Sequence, residues 1–214
     1  MPACKLWRAG NHLFLKCIYS FINQHHRTPF MEIAKLVKEA RQGSTAAQKC
    51  LFDQLSDKMM VLCRRYVKSR EDAEEILQDG FYKFFKNLDD FNYQGEPAFF
   101  AWVKRIMINE CLMFLRKKNI FNMVAETAAE EIALEEDALN YLSAVEIFNM
   151  IVQLPVGYRT VFNLYAVEGM THGEIAVLMG ISEGTSKSQL SKARSLLQKM
   201  LVQKGTDYDK RKAK

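Results

Sequence analysis

The stretch from Thr171 to Met200 constrains the fold most, because it encodes two capped helices joined by a tight turn. Thr171 and Glu174 have the spacing of a capping box, and Gly180 stands where that first helix would end. Ser182 is then placed to cap the second helix. On a helical wheel the second helix has two separate stripes. The apolar stripe contains Leu190, Ala193, Leu197 and Leu201, and the polar stripe contains Lys187, Ser188, Ser191, Lys192 and Ser195.

This pattern is typical of a helix-turn-helix, which places its second helix in the DNA major groove. The alternative is a pair of amphipathic helices in an all-helical core, with a polar face that only meets solvent. An ordinary solvent face mixes charges of both signs. No acidic residue lies between Glu183 and Asp207, so the polar face favours DNA binding.

The composition of the whole chain predicts an all-α protein. Its 214 residues include only 4 prolines and 10 glycines, and apolar residues recur mainly at helical spacing. Apolar residues make up 49% of the chain, which excludes a wholly disordered protein. This length suits two small helical domains.

Charge divides the chain into three parts. Residues 1–119 carry 20 basic and 13 acidic groups, residues 120–144 carry 6 acidic groups and no basic ones, and residues 145–214 carry 10 basic and 6 acidic groups. Basic blocks favour salt-sensitive binding to polyanions such as DNA. We therefore predict domains at 31–119 and 145–204, an acidic linker at 120–144 and a basic tail at 205–214.

Residues 1–30 are expected to form a loosely ordered extension, or to precede a physiological start at Met31. They contain four basic residues and no acidic one. Their apolar run at 13–22 is interrupted by Lys16 and is shorter than the roughly 20 residues that a membrane span needs. Regular helical patterning begins only at Met31.

The five cysteines predict neither a disulfide framework nor a metal site, because they form no C-x-x-C pair and lack metal-ligand spacing with the histidines. Cys50, Cys63 and Cys111 are expected to pack as small hydrophobic residues. This cysteine usage favours a reducing cytoplasm. The sequence also lacks a phosphate-binding glycine loop and a recognisable catalytic triad, so we expect no enzymatic activity, no cofactor and no small-molecule substrate.

Residues 69–88 combine an acidic first half with an aromatic and basic second half. Ser69 and Asp72 have capping-box spacing, and carboxylates are common in a first helical turn. Gln78 and Asp79, however, lie two turns into the helix, where the effect of its dipole has faded. Beside apolar neighbours, they predict a surface that docks on a basic partner.

Residues 98–119 form a third helical segment, in which Trp102, Ile106 and Met113 follow an apolar stripe. Asn109 interrupts the stripe, so its amide needs hydrogen-bond partners within the fold or in a ligand. Nearby aromatic and basic side chains suit unstacked bases and single-stranded backbone. The aromatic residues just before and within the segment are Phe91, Tyr93, Phe99 and Phe100, and at least half of them are expected to be buried.

Three segments in this order, with the acidic linker between the second and the third, carry a resemblance to one known family. They are DAEEILQDGFYKFF at 72–85, FFAWVKRIMINECLMFLRKKN at 99–119 and LPVGYRTVFNLYAVEGMTHGEIAVLMGISEGTSKSQLSKARSLL at 154–197. Together they resemble an RNA polymerase sigma factor of the extracytoplasmic-function (ECF) group of the sigma-70 family. Such a factor keeps only regions two and four, as two helical domains.

The resemblance implies a protein that binds core RNA polymerase, at the largest-subunit clamp and the flap, and directs initiation at specific promoters. The residues that it assigns to the clamp are Asp72, Glu75, Gln78 and Asp79. Those that it assigns to the melted minus-ten strand, where a base is flipped out, are Phe91, Trp102, Arg105 and Asn109. Those that it assigns to the minus-thirty-five duplex are Lys187, Ser188, Ser191, Lys192 and Arg194, the last as a phosphate contact or a brace.

The resemblance also implies a role for the linker and a regulatory partner. The acidic linker at 120–144 would thread into the basic RNA path of the polymerase, with a solvated tether as the alternative. An anti-sigma factor, often membrane-embedded in this family, is the implied partner of a factor that otherwise works at the nucleoid. Ser186 stands where the family usually has an aliphatic residue, and Gln189 where it often has arginine. These departures predict looser anchoring of the second helix and fewer phosphate contacts.

Two other functions stay open from the sequence. A free-standing helix-turn-helix regulator would bind duplex DNA alone, but it would not need the segment at 99–119. A helical adaptor would dock on another protein through 72–86, but it would not need the lysine and serine face at 183–195. The favoured prediction is therefore a sigma factor.

Overall fold

The computed structural model describes residues 33–118 and 144–212, and every regular element in those two ranges is a helix. The described residues fall into two compact units, 33–118 and 144–212. This confirms the predicted all-α fold with two small helical domains. The extension at 1–30, the choice of Met31 as the start and the linker up to residue 143 lie outside the described residues.

The first unit contains four helices: α1 Ile33–Arg41, α2 Thr45–Tyr66, α3 Arg70–Lys86 and α4 Glu96–Lys117. Between α1 and α2, Gly43 adopts a φ of 83°, a conformation that favours glycine. Ser44 then caps α2, because its Oγ accepts the Ala47 N–H at 3.3 Å. Gly95, with a φ of 99°, directly precedes α4.

An apolar stripe along α2 lies in the core of the first unit. All five of its members are buried: Leu51, Leu55, Met59, Leu62 and Tyr66. The core also contains Cys63 and Cys111, as predicted, and burial raises the pKa of the Cys111 thiol. Cys50 is only half-buried.

The prediction that Trp102, Ile106 and Met113 form the buried stripe of α4 is wrong. Helix α4 packs on both α2 and α3, and they cover the side with Phe99, Val103 and Met107, which are fully buried. Asn109 is exposed and Met113 is 50% exposed, so the asparagine is not a buried interruption of the core. The periodicity predicted one apolar stripe, and packing buries a different face of the helix.

The second unit contains α5 Ala144–Gln153, α6 Val156–Phe162, α7 His172–Met179 and α8 Glu183–Lys212, and a π-helical segment, Asn163–Val167, continues α6. The predicted apolar stripe of α8 is buried throughout: Leu190, Ala193, Leu197 and Leu201. Ser195, predicted for the polar stripe, is also buried. That prediction is wrong because α5, α6 and α7 all pack on α8 and cover more than one stripe. The helix also continues through most of the predicted basic tail.

Arg159 holds the turn between α5 and α6 from inside the core, where only 1% of it is exposed. Its Nη1 donates to Val152 O at 2.6 Å and to Leu154 O at 3.4 Å. A helix C-terminus leaves such carbonyls without intrahelical partners, so the guanidinium closes α5. Burial lowers the pKa of Arg159 to about 10, which leaves the side chain protonated at neutral pH.

Candidate nucleic-acid and protein interfaces

The outward side of α3 carries three of the four residues predicted for the polymerase clamp. Glu75, Gln78 and Asp79 are exposed, and their spacing places them on one side of the helix. Tyr82 extends this side by one turn and is 68% exposed. Helix α3 therefore presents an acidic surface with an aromatic ring at one end.

Asp72, the fourth predicted clamp residue, is engaged within the first unit. Lys118 Nζ lies 2.7 Å from Asp72 Oδ1 and joins the start of α3 to the end of α4. Ser69 Oγ accepts the Asp72 N–H at 3.1 Å, but its own hydroxyl donates to Glu71 Oε2 at 2.6 Å. The capping box predicted for Ser69 and Asp72 is thus only half formed, because the Asp72 carboxylate faces Lys118.

A loop at 87–95 joins α3 to α4 and carries aromatic side chains of the second predicted site. Phe91 stacks on Trp102, with ring centroids 4.2 Å apart and planes inclined by 15°. Phe99 approaches Phe91 edge-on at 6.0 Å, and Tyr93 does so at 6.5 Å. Of the four aromatic residues of which at least half were expected to be buried, only Phe99 is fully buried. Phe91, Tyr93 and Phe100 are half-buried, so that expectation is wrong. They form a cluster at the edge of the core rather than inside it.

Arg41, the last residue of α1, contacts this loop. Its Nε donates to Leu88 O at 3.0 Å, and its Nη2 donates to Phe91 O. Leu88 O also accepts the Phe91 N–H at 3.3 Å. One guanidinium therefore binds both ends of the turn from Leu88 to Phe91.

Trp102, Arg105 and Asn109 follow one another at i, i+3 and i+7, which places them on one side of α4. Arg105 and Asn109 are exposed, and Trp102 is half-buried beneath Phe91. All four residues predicted for the melted strand are thus brought together: two stacked rings, a cation and an amide. The amide can both donate and accept hydrogen bonds, as recognition of a base edge requires.

The predicted capping signals of the helix-turn-helix are all present. Thr171 and Glu174 form a reciprocal capping box at the start of α7, and Gly180 ends that helix at a φ of 69°. Ser182 Oγ accepts the Thr185 N–H at 3.0 Å at the start of α8. These local bonds fix where α7 begins and ends and where α8 begins.

The residues of α8 predicted to contact duplex DNA differ in exposure. Lys187, Ser188 and Ser191 are exposed. Lys187 Nζ lies 3.7 Å from Glu183 Oε2, and a surface pair of this kind holds the side chain only weakly. Lys192 is half-buried, with its Nζ 5.9 Å from the Tyr158 ring centroid.

Arg194 packs inside the helix-turn-helix. Its guanidinium carbon lies 5.8 Å from the Tyr165 ring centroid, and burial lowers its pKa. Tyr165 in turn stacks on His172 at 4.6 Å with an angle of 22°. Of the two roles weighed for Arg194, this arrangement matches the brace rather than the phosphate contact.

Ser186 and Gln189, the two departures from the family pattern, both have defined places. Ser186 is fully buried, and its Oγ lies 2.8 Å from His172 Nδ1 in a hydrogen bond that joins α7 to α8. The predicted loose anchoring at this position is therefore wrong, because a polar contact replaces the aliphatic one. Gln189 lies against α6, where a Cβ atom on Gly157 would stand 3.3 Å from either of its amide atoms.

The two units match two regions of one known family. Residues 51–120 match sigma-70 region 2, and residues 144–197 match sigma-70, region 4, so the matches span more than half of the chain. The ECF RNA polymerase sigma-E factor of Haemophilus influenzae is 29% identical over 182 residues, which cover 76% of this chain and 92% of that protein. The ECF RNA polymerase sigma factor SigW of Bacillus subtilis is 27% identical and covers 80% of this chain and 97% of its own length. The chain belongs to the sigma-70 family.

The protein is an ECF sigma factor, which directs RNA polymerase to promoters. A solved structure of the sigma factor RpoE in complex with the anti-sigma factor NepR, from Bartonella quintana, is similar with a TM-score of 0.44. It is 21% identical to this sigma factor and covers 72% of this chain and 96% of its own.

One exposed residue and two contacts of the sigma factor were not anticipated from its sequence. Tyr82 lies one turn beyond Gln78 and Asp79, so the helical period alone would have placed it on the same surface. The contact of Arg41 with Leu88 and Phe91 spans 47 and 50 residues, and no local pattern indicates it. The hydrogen bond between His172 and Ser186 likewise depends on how α7 crosses α8.

The described residues contain neither a candidate membrane span nor a candidate metal site. In 33–118 and 144–212, no helix of the sigma factor is long and apolar enough to cross a membrane. Within the same ranges, no group of three histidine, cysteine, aspartate or glutamate side chains is arranged to hold a metal ion.

Proposed function

We propose that the two units of this sigma factor divide promoter recognition between melted and duplex DNA. The observation that carries the proposal is a chemical difference between their exposed surfaces. The first unit combines the Phe91–Trp102 stack with an exposed amide and a cation on α4. The second unit instead exposes a lysine and two serine hydroxyls on the outer side of α8, at positions 187, 188 and 191.

The α4 surface suits a melted minus-ten strand. Extruding a base from a duplex costs a few kcal/mol, which stacking and hydrogen bonds to the free base must offset. Phe91 and Trp102 supply stacked aromatic rings, and Asn109 lies on their side of α4 with its amide exposed. Arg105 adds a positive charge for the adjacent backbone.

The outer side of α8 suits the minus-thirty-five duplex. Lys187, Ser188 and Ser191 are exposed on a helix whose start is fixed by its cap. Helices positioned in this way contact base edges in the major groove. Lysine can reach the acceptors of guanine but lacks the bidentate fork of arginine.

The acidic side of α3 is our candidate for the contact with the clamp of core polymerase. Glu75, Gln78, Asp79 and Tyr82 supply two carboxylates, an amide and a ring, all exposed. Asp72 contributes indirectly, since its ion pair with Lys118 joins the start of α3 to the end of α4. An anti-sigma factor is the proposed inhibitory partner. The protein would carry out no covalent chemistry and would work in the cytoplasm at the nucleoid.

Transcription by core RNA polymerase on the organism's own genomic DNA, with and without this chain, tests the proposal. We expect new, discrete start sites only when the chain is present. Folded protein that directs no initiation would contradict the sigma-factor function itself. Duplex binding without core polymerase, together with no effect on initiation, would instead favour a free-standing helix-turn-helix regulator.

A further inference from the structure

Long backbone hydrogen bonds close the turn that leads to Phe91. Phe91 N–H and Leu88 N–H each reach a carbonyl of the preceding turn at 3.3 Å, near the upper limit for a hydrogen bond. A connection without regular structure is ordinarily mobile and variable. Besides the ring contacts of Phe91 itself, a contact from another element can therefore fix the position of its ring over Trp102.

Arg41 supplies such a hold from α1. Its guanidinium donates to Leu88 O and to Phe91 O, the two carbonyls at the ends of one turn. Hydrogen bonds from a charged donor are about twice as strong as neutral ones, and the planar fork of arginine fixes two acceptors in a single geometry. A lysine at this position would keep the positive charge but would lack the rigid fork that aligns two N–H donors with the two carbonyls.

We propose that Arg41 is a positioning residue for minus-ten recognition. It holds the turn from Leu88 to Phe91 so that the Phe91 ring stays stacked on Trp102 before DNA arrives. Capture of the flipped base then proceeds without the cost of ordering the loop. This inference rests on the proposed role of Phe91 and Trp102 at the melted strand.

The structure provides a matched control on the same helix. Lys35 on α1 is 63% exposed at its side chain and faces Glu39 at 3.9 Å, on its own helix rather than on the loop. Lys35→Gln and Arg41→Gln each remove one positive charge from α1, but only the second removes the bonds to the loop. Arg41→Lys keeps the charge and removes the fork.

The first measurement follows the loop directly. The chain has two tryptophans, so Trp7→Phe leaves Trp102 as the single fluorescent reporter. In that background we expect Arg41→Gln and Arg41→Lys to increase quenching of Trp102 by acrylamide, because the Phe91 ring no longer covers it. Lys35→Gln should leave the quenching unchanged. Unchanged quenching in both Arg41 variants, with circular dichroism confirming the fold, would overturn the proposal.

The second measurement is the rate of promoter opening. With core polymerase, we expect Arg41→Gln to slow promoter opening about tenfold, the effect of losing one hydrogen bond to a charged group. We also expect a smaller preference among the four bases at the flipped minus-ten position in a pre-melted template. Lower protein stability alone would reduce binding equally for the four templates that differ in this base. A change in base preference therefore distinguishes an effect on the position of Phe91 from an effect on folding.

The two proposals fail in distinguishable ways. If the wild-type chain opens no promoter, the proposed function is wrong, and the quenching still shows whether Arg41 holds the loop. If the wild type opens promoters and both Arg41 variants keep its opening rate and base preference, the role of Arg41 is wrong and the sigma-factor function stands.

Discussion

Ser186 illustrates how a single residue departs from a family pattern without weakening the fold. It is fully buried, and its hydroxyl bonds to His172, whose ring also stacks on Tyr165. An aliphatic residue would fill this space but would leave His172 Nδ1 without the hydroxyl. The pair therefore ties α7 to α8 through a polar contact.

Ser186→Ala is expected to lower the free energy of unfolding by about 1 kcal/mol, the typical contribution of one hydrogen bond. Urea unfolding followed by circular dichroism measures the change. Ser191→Ala, an exposed serine on the same helix, should change stability by less than about 0.5 kcal/mol. Equal decreases in the two variants would show that the contact with His172 stabilises nothing.

His172 makes the stability of this contact depend on pH. Burial, then the positive charges of Lys187 and Arg194, lower the pKa of His172, and Glu183 partly opposes them. The unfolded chain then binds a proton where the folded chain does not. The contribution is complete above the ordinary histidine pKa of about 6.5 and is lost as the pH falls through the folded value. We expect His172→Gln to reduce the loss of unfolding free energy between neutral and mildly acidic pH, and an unchanged pH profile would contradict this.

At the scale of elements, the contact of α3 with α4 depends on Gly80. A Cβ atom at Gly80 would lie 2.3 Å from Met107 Sδ, and Met107 is fully buried. The absent side chain thus leaves room for the thioether of the neighbouring helix. Glycine has a low helical propensity, but here it permits close packing of α3 on α4.

Gly80→Ala is expected to destabilise the protein by about 1 kcal/mol, because overpacking of roughly 1–3 kcal/mol outweighs a helix-propensity gain of up to about 1 kcal/mol. Thermal unfolding measures the net effect. Gly184→Ala, at an exposed position where the nearest atom lies 3.6 Å away, should be neutral or stabilising. A higher melting temperature in both variants would show that Met107 moves aside without cost.

At the scale of the molecule, substitutions in the two units should impair different steps: promoter opening for the first unit and duplex binding for the second. Asn109→Ala is expected to impair promoter opening more than binding of minus-thirty-five duplex. Lys187→Ala combined with Lys192→Ala should weaken duplex binding and reduce its salt slope by about one for each phosphate that the variant no longer neutralises. Permanganate reactivity measures opening, and titration of duplex at several salt concentrations measures binding.

The two lysines of α8 are expected to contribute unequally to duplex binding. Because Lys192 is half-buried near Tyr158, its removal should affect the salt slope less than the removal of exposed Lys187. Equal reductions of opening and duplex binding in the Asn109 and lysine variants would contradict a division of labour between the units.

The sequence determined features that depend on neighbouring residues. The capping box of Thr171 and Glu174, the end of α7 at Gly180 and the apolar stripe of α8 were all predicted and are all present. Caps and turns involve bonds between residues a few positions apart, so local spacing suffices to indicate them. The same holds for the helical class of both domains, because apolar periodicity is a local property.

The tertiary structure decided which face of α4 is covered and how far the covered surface of α8 extends beyond its apolar stripe. Asn109 and Met113 lie outside because α2 and α3 cover the opposite side of α4, whereas Ser195 is buried by the helices around α8. The contacts of Arg41 with the Phe91 loop and of His172 with Ser186 also join residues from separate parts of the chain. Periodicity defines the faces of an isolated helix, but the free energy of packing in the whole unit determines which face becomes core and which remains available for DNA.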